Sequence, residues 1–118
     1  AGDYVKAMWQ MLQHDNPDDW VVATGESYTV REFAKLAFSY LDLDFEEFIE
    51  TSDKYFRPNE VDYLLGDPTK IKKTLGWKNE TSFEDLVKMM VDSDINLAKR
   101  EKVLLDENLI KPTWENPT

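Results

Sequence analysis

Thr29-Val30-Arg31-Glu32, set between Tyr28 and Phe33, constrains the fold more tightly than any other stretch of this chain. The pattern is a capping box. The Thr29 hydroxyl accepts from the Glu32 amide and the Glu32 carboxylate reaches back to the Thr29 amide, so two helix-terminal donors find partners. Tyr28 and Phe33 stand where a hydrophobic staple places its two residues. A helix therefore starts at Val30, buries Val30, Phe33, Ala34, Ala37 and Leu41 along one face, and ends near Leu41. Immediately before it, Trp20-Val21-Val22-Ala23-Thr24 is a short apolar run closed by Gly25. Its length and β-branched content predict a buried strand.

The flanking segments read in the same way. Val5, Met8, Trp9 and Leu12 recur at i, i+3, i+4 and i+7, which predicts an amphipathic helix with that stripe in the core and Asp3 as its N-cap. Asn16-Pro17-Asp18-Asp19 breaks the chain as a turn. Asp42 to Glu47 is acidic and holds another turn, after which Phe48-Ile49-Glu50-Thr51 is expected to be a short strand. Val61, Leu64 and Leu65 fit either one helical turn or a short extended piece. Asp67 caps a further helix with Pro68 at its first position; Lys70, Lys72 and Lys73 complement its dipole, and Gly76 closes it. Thr81 or Ser82 caps a last, long helix with a stripe of Phe83, Leu86, Val87, Met90, Val91 and Ile95. The periodicity fades after Lys102, and residues 111–118, with two prolines, read as a tail.

Composition removes several classes of function. With 42% hydrophobic and 13% aromatic residues in 118 positions, the chain is globular in type, not disordered. A formal charge of −10 argues against a nucleic-acid partner, whose phosphates need a basic surface. The absence of cysteine excludes disulfides, thiolate metal sites and cysteine nucleophiles. No apolar run approaches the roughly 20 residues of a membrane span and no signal-peptide core is visible, so a cytoplasmic location is expected. Glycines at 2, 25, 66 and 76 cannot form a dinucleotide or P-loop pattern, and no tyrosine has a lysine four residues later. His14 stands alone near a helix C-terminus and reads as solvated, which leaves no histidine triad or multi-histidine metal site. Asp18/Asp19 and Glu46/Glu47 read as solvated faces. Asp42-Leu43-Asp44 lacks the glycine and distal glutamate of a calcium loop, and Asn79-Glu80-Thr81, although a glycosylation sequon, reads as a helix-start element. The opening Ala1-Gly2-Asp3, without methionine and running straight into helical periodicity, suggests a piece of something longer.

One segment carries binding chemistry. Lys54-Tyr55-Phe56-Arg57-Pro58-Asn59-Glu60-Val61-Asp62 sets an arginine on a proline-fixed backbone, because the proline ring disfavours the helical conformation for Arg57, with a glutamate three residues on. A guanidinium fork suits a phosphate or diphosphate; a carboxylate nearby suits paired hydroxyls or the N–H edge of a base such as guanine. The alternative is an Arg57–Glu60 ion pair that merely closes a turn.

This segment, continued to Asp67 as KYFRPNEVDYLLGD, closely resembles the C-terminal signature of the GDP-mannose 4,6-dehydratases, an extended short-chain dehydrogenase/reductase family. The resemblance extends from residue 1 to about 98. Ala1 to Val5 with Ala7-Met8-Trp9 is similar to the family's segment after its Arg-Asp-Trp-Gly stretch. Asp19 to Gly25 is similar to its strand and glycine turn, and Thr29 to Phe33 to its next helix start. Asp67 to Trp77 and Ser82 to Val91 are similar to its final helices.

The resemblance implies an α/β fold in which residues 1–102 are part of the C-terminal substrate-binding domain, mostly helical with a few short strands. Residues 103–118 are a tail, and the Rossmann domain is absent from this chain. It implies conversion of GDP-mannose to GDP-4-keto-6-deoxymannose by the full-length enzyme, a homodimer or homotetramer using NADP held by an N-terminal domain. The Gly-rich loop, tyrosine–lysine pair and catalytic glutamate would all lie upstream of Ala1, so this piece contributes no catalytic residue and is inactive alone. Carried over, Arg57 contacts the GDP diphosphate, Glu60 the ribose hydroxyls or guanine, and Pro58 and Asn59 position the turn, with Lys54 and Tyr55 weaker candidates. Apolar surface left uncovered by a missing domain would favour self-association or a loosened first helix. The rival readings are another nucleotide-sugar reductase or epimerase sharing the Arg-x-x-Glu turn, and a non-catalytic interaction module.

Overall fold

The computed structural model describes residues 1–52 and 63–111, and among these the regular structure is entirely helical. In chain order the helices are α1 (Gly2–Leu12), α2 (Val30–Tyr40), α3 (Phe45–Phe48), α4 (Thr69–Leu75) and α5 (Phe83–Asp106). Helix α2 begins as its sequence dictates. Thr29 Oγ1 accepts from the Glu32 amide at 3.1 Å and Glu32 Oε2 accepts from the Thr29 amide at 2.7 Å. The two staple residues meet through a third ring: Tyr28 stacks on Phe83 of α5 at 3.8 Å, and Phe33 meets the same ring edge-on at 6.1 Å. This joins the N-terminus of α2 to that of α5, and Ser82 caps α5 by accepting from the Asp85 amide. Of the stripe expected to be buried, Val30 is left 85% exposed and Leu41 is also exposed, while Phe33, Ala34 and Ala37 are partly buried.

Neither predicted strand forms among the described residues. Residues 20–24 lack strand structure, because a strand exists only through its ladder and none forms here. Their neighbour is the stretch before α4: a Cβ placed on Gly66 would come within 2.5 Å of Ala23 Cβ. Phe48 belongs to α3, whose start is fixed by the Asp44 carboxylate accepting from the Glu46 amide at 3.0 Å, and Ile49 beyond it is extended without joining a strand. Phe45 is buried there against Phe38. The turn expected between α2 and α3 is present, with Asp42 at a φ of 56°.

Helix α1 turns the opposite face inward from the one predicted. Ala7 is fully buried in a cluster with Ile71 and Trp77, flanked by Met11, Trp20, Val22 and Leu75. Val5, Met8, Trp9 and Leu12 are 62%, 60%, 61% and 83% exposed. Ala7 is the residue small enough to let the Trp77 indole and Ile71 approach the helix closely. Nor is Asp3 the N-cap, which is Ala1. Asp3 lies in the first turn, where its carbonyl accepts from Trp77 Nε1 at 2.8 Å and its carboxylate from the Thr81 amide at 3.0 Å. In α4 the cap moves by one residue to Pro68, while Asp67 still accepts from the Thr69 amide at 2.9 Å and Gly76 ends the helix in the left-handed region. In α5 only Val87 of the predicted stripe is fully buried, with Leu86 and Met90 39% and 45% exposed. The helix runs on to Asp106.

The core is small for the chain. The accessible surface is 10342 Å² and the mass 13.8 kDa. A compact monomer of that mass exposes about 6,600 Å². The radius of gyration is 19.3 Å, where about 13–14 Å is expected for a compact chain of this length.

Candidate functional site

Arg57, Pro58, Asn59 and Glu60, the residues nominated for nucleotide binding, lie outside the described residues, as do Lys54, Tyr55 and Val61. The described structure defines the frame on either side of them. On the C-terminal side the frame is firm. Gly66 approaches Ala23 and Val21 so closely that no side chain fits at position 66. Leu64 and Leu65, for which a helical turn or an extended piece was expected, carry no regular structure and are exposed. Asp67 accepts from both the hydroxyl and the amide of Thr69, which holds its carboxyl below the usual carboxylate range. Pro68 is buried with its ring 3.5 Å from where a Cβ on Gly25 would stand, and Gly25 itself has a φ of 83°.

Lys70 completes the frame. Its ammonium lies 2.8 Å from Asp18 Oδ1, donates to the Asp19 carbonyl at 2.9 Å and sits 4.9 Å over the Trp20 ring. The ammonium, with the Asp19 amide behind it, lowers the Asp18 pKa. The Asp18/Asp19 pair is therefore a tie between the 16–19 turn and α4. Glu46 likewise faces Arg31, at 3.4 Å. His14 is half-buried, its ring edge-on to Trp20 at 5.5 Å, and so it packs where solvation was expected.

Two concavities adjoin α1. One, of about 160 Å³, is lined by Asp3, Tyr4, Thr24, Asn79, Thr81 and Leu86, and opens toward a neighbouring space of about 260 Å³ that reaches Glu26, Tyr28 and Phe83. Several of its polar groups are already paired. The Thr81 and Glu80 amides hold the Asp3 pKa down, and Tyr28 donates to Glu26 at 3.0 Å, which raises the Tyr28 pKa. The other, a shallow depression of about 310 Å³, is lined by Trp9, Gln10, Gln13, His14, Thr74 and Leu75. Among the described residues no three histidine or acidic side chains gather as a metal site would require. The Asp3 clamp was missed from sequence because the segments it joins are separated by 74 and 78 positions. No local spacing encodes such a pairing.

Helices around the irregular 20–25 segment, with a small buried core and a broad exposed surface, make up the described structure. The GDP-mannose 4,6 dehydratase family matches residues 1–90. The chain belongs to that family. It is 59% identical over 106 residues to GDP-mannose 4,6 dehydratase 2 of Arabidopsis thaliana, an alignment covering 90% of this chain and 28% of that protein. It is 45% identical to GDP-mannose 4,6 dehydratase of Dictyostelium discoideum, covering 84% of this chain and 33% of the relative. Against the Homo sapiens GDP-mannose 4,6 dehydratase the identity is 40%, with 84% and 31% covered. The chain thus spans about a third or less of the length of these curated relatives. No helix of the described residues is long and apolar enough to cross a membrane.

Proposed function

We propose that this chain supplies the GDP-binding side of the substrate site in a GDP-mannose 4,6-dehydratase, within a longer polypeptide of extended short-chain dehydrogenase/reductase architecture. That enzyme removes water from GDP-mannose to give GDP-4-keto-6-deoxymannose. Family membership over residues 1–90 is the observation that carries the reading, since that span contains the whole Arg57–Glu60 segment. Arg57 forks onto the diphosphate, Glu60 accepts from the ribose hydroxyls or the guanine edge, and Pro58 and Asn59 hold the turn between them. The packing of Gly66 on Ala23 and of Pro68 on Gly25 supports this, because it gives the segment a rigid C-terminal root.

NADP does not fit the residues of this chain. Its four glycines form no phosphate-binding loop and no Tyr-x-x-x-Lys pair is present, so the cofactor and the catalytic groups belong elsewhere in the enzyme. No step of the reaction is assigned to these 118 residues beyond holding and orienting the nucleotide. A homodimeric or homotetrameric, cytoplasmic enzyme completes the proposal, and these two features rest on the family resemblance.

The test is calorimetric titration of the full-length enzyme with GDP, beside its Arg57→Ala variant. Loss of a charged phosphate contact weakens binding by about 1.5–3 kcal/mol. An unchanged GDP affinity together with an unchanged KM for GDP-mannose overturns the assignment.

A further inference from the structure

The apolar packing falls into two groups. Ala7, Ile71 and Trp77 seal α1 against α4, with Trp20 and Val22 beside them. The second group joins α2, α3 and α5. Phe83 takes the rings of Tyr28 and Phe33, Phe38 meets both Phe45 and Phe48, and the Tyr40 hydroxyl donates to the Asp92 carboxylate at 3.0 Å. Among the described residues, no side chain of α2, α3 or α5 enters the first cluster, and every ring–ring and cation–ring contact joins partners within one group. We propose that the two groups are bodies that move about a hinge at residues 24–27 and 78–81, with Asp3 as its latch.

These two stretches carry the chain from one body to the other, and both have the makings of a hinge, in which a few loop residues absorb the change of backbone angle. Neither holds regular structure. In the first, Gly25 sits at a φ of 83°, a conformation glycine adopts without strain, and the Glu26 amide donates to Thr24 Oγ1 at 3.2 Å. In the second, α1 holds the turn by polar contacts. The Asp3 carboxylate accepts from the Thr81 amide at 3.0 Å, and Lys6 pairs with Glu80. Polar contacts at a partly exposed turn open at lower cost than a sealed apolar cluster.

Asp3 ties the second crossing back to the first body, because its carbonyl also accepts from Trp77 Nε1 at 2.8 Å. The seam has room for motion. Concavities of about 160 and 260 Å³ run along it, lined by Asp3 and Tyr4 on the α1 side and by Tyr28, Phe83 and Leu86 on the other. No residue of the Arg57–Glu60 segment takes part, so the inference stands independently of the nucleotide reading.

Hydrogen–deuterium exchange of the full-length enzyme, read by mass spectrometry, tests it with Asp3→Ala. Exchange should rise at least about threefold at 78–81, where the latch is lost, and by a similar factor at 24–27, to which Asp3 makes no hydrogen bond. The interiors of α2 and α4 should exchange as in the parent. Asp3→Asn, which keeps an acceptor and loses the charge, should give a smaller rise in the same two places, and it carries the test if the alanine variant does not fold. A rise confined to 78–81 makes Asp3 a local cap and overturns the hinge. So does a rise that spreads equally into α2 and α4, which is loss of the whole fold, or no rise at either crossing.

Discussion

Gly66→Ala probes the contact on which the proposed site is built. A Cβ at position 66 stands 2.5 Å from Ala23 Cβ and 3.5 Å from Val21 Cγ1. Carbon atoms at optimal separation are about 3.5–4.0 Å apart, so the pair must part by roughly an ångström. Neither methyl can rotate out of the way, because each is fixed directly to its backbone. The strain therefore moves the 20–25 segment or the stretch entering α4, at a cost of about 1–3 kcal/mol, the usual range for overpacking. The assay is urea denaturation followed by circular dichroism, with Ala23→Gly as the compensating change. Ala23→Gly alone costs about 0.5–1 kcal/mol through backbone entropy. The double variant should nevertheless be more stable than the sum of the two by at least about 0.5 kcal/mol, since the clash is gone. In the full-length enzyme, Gly66→Ala should also weaken GDP binding and Ala23→Gly should restore it. A Gly66→Ala chain as stable as the parent, or strictly additive effects, refutes the close approach and with it the rigid root.

Three further outcomes follow from the same contacts. Trp77→Ala removes a side chain that is 1% exposed and leaves a cavity between α1 and α4. A loss of about 3–5 kcal/mol is expected, seen as accelerated amide exchange along α1. Thr29→Ala removes one cap of α2 and should lower stability by about 1 kcal/mol, with exchange rising in the first turn of α2 and unchanged in α4. Acid should loosen the fold through Asp3, Asp18, Glu32 and Asp67. All four have folded pKa values depressed from ordinary values of 3.8 or 4.5, by the amides and hydroxyls they accept from and, for Asp18, first by Lys70. Their contribution is complete above those ordinary values and lost as pH falls through the folded ones. The urea midpoint should therefore drop from about pH 5 to pH 3, and a flat profile contradicts the assignment.

What could be read from the sequence is what neighbouring residues decide. The capping box at Thr29, the Ser82 cap and the Asp67-Pro68 entry to α4 depend on side chains reaching backbone groups two or three positions away, and the Gly76 stop on a residue that adopts a positive φ without a Cβ clash. Each appears, with α4 shifted by one residue. The strand expected at 20–24 failed for a reason outside its own composition, since apolar β-branched residues need a ladder partner. The Phe48 strand gives way to α3 because the Asp44 carboxylate accepts from the Glu46 amide and starts a helical turn that takes in Phe48. The nucleotide-binding candidates were legible only as a family signature, since their type and spacing alone favour an internal Arg57–Glu60 ion pair.

Helix α1 shows where periodicity stops deciding. Its sequence carries two faces: a large apolar one at Val5, Met8, Trp9 and Leu12, and a mixed one at Asp3, Ala7 and Met11. Hydrophobicity favours the first, yet the chain buries the second. The choice is made by shape and by hydrogen bonds. Ala7 admits the Trp77 indole to the helix surface, and Asp3 then satisfies that indole's N–H and the Thr81 amide, which burial would otherwise leave unpaired. An exposed Trp9 face gives up transfer free energy that the intramolecular contacts do not recover. A surface larger than a compact chain of this mass exposes is the same statement at the scale of the molecule. Whatever covers α1 must therefore come to a helix already oriented by Asp3 and Trp77, which makes the stripe a preformed surface.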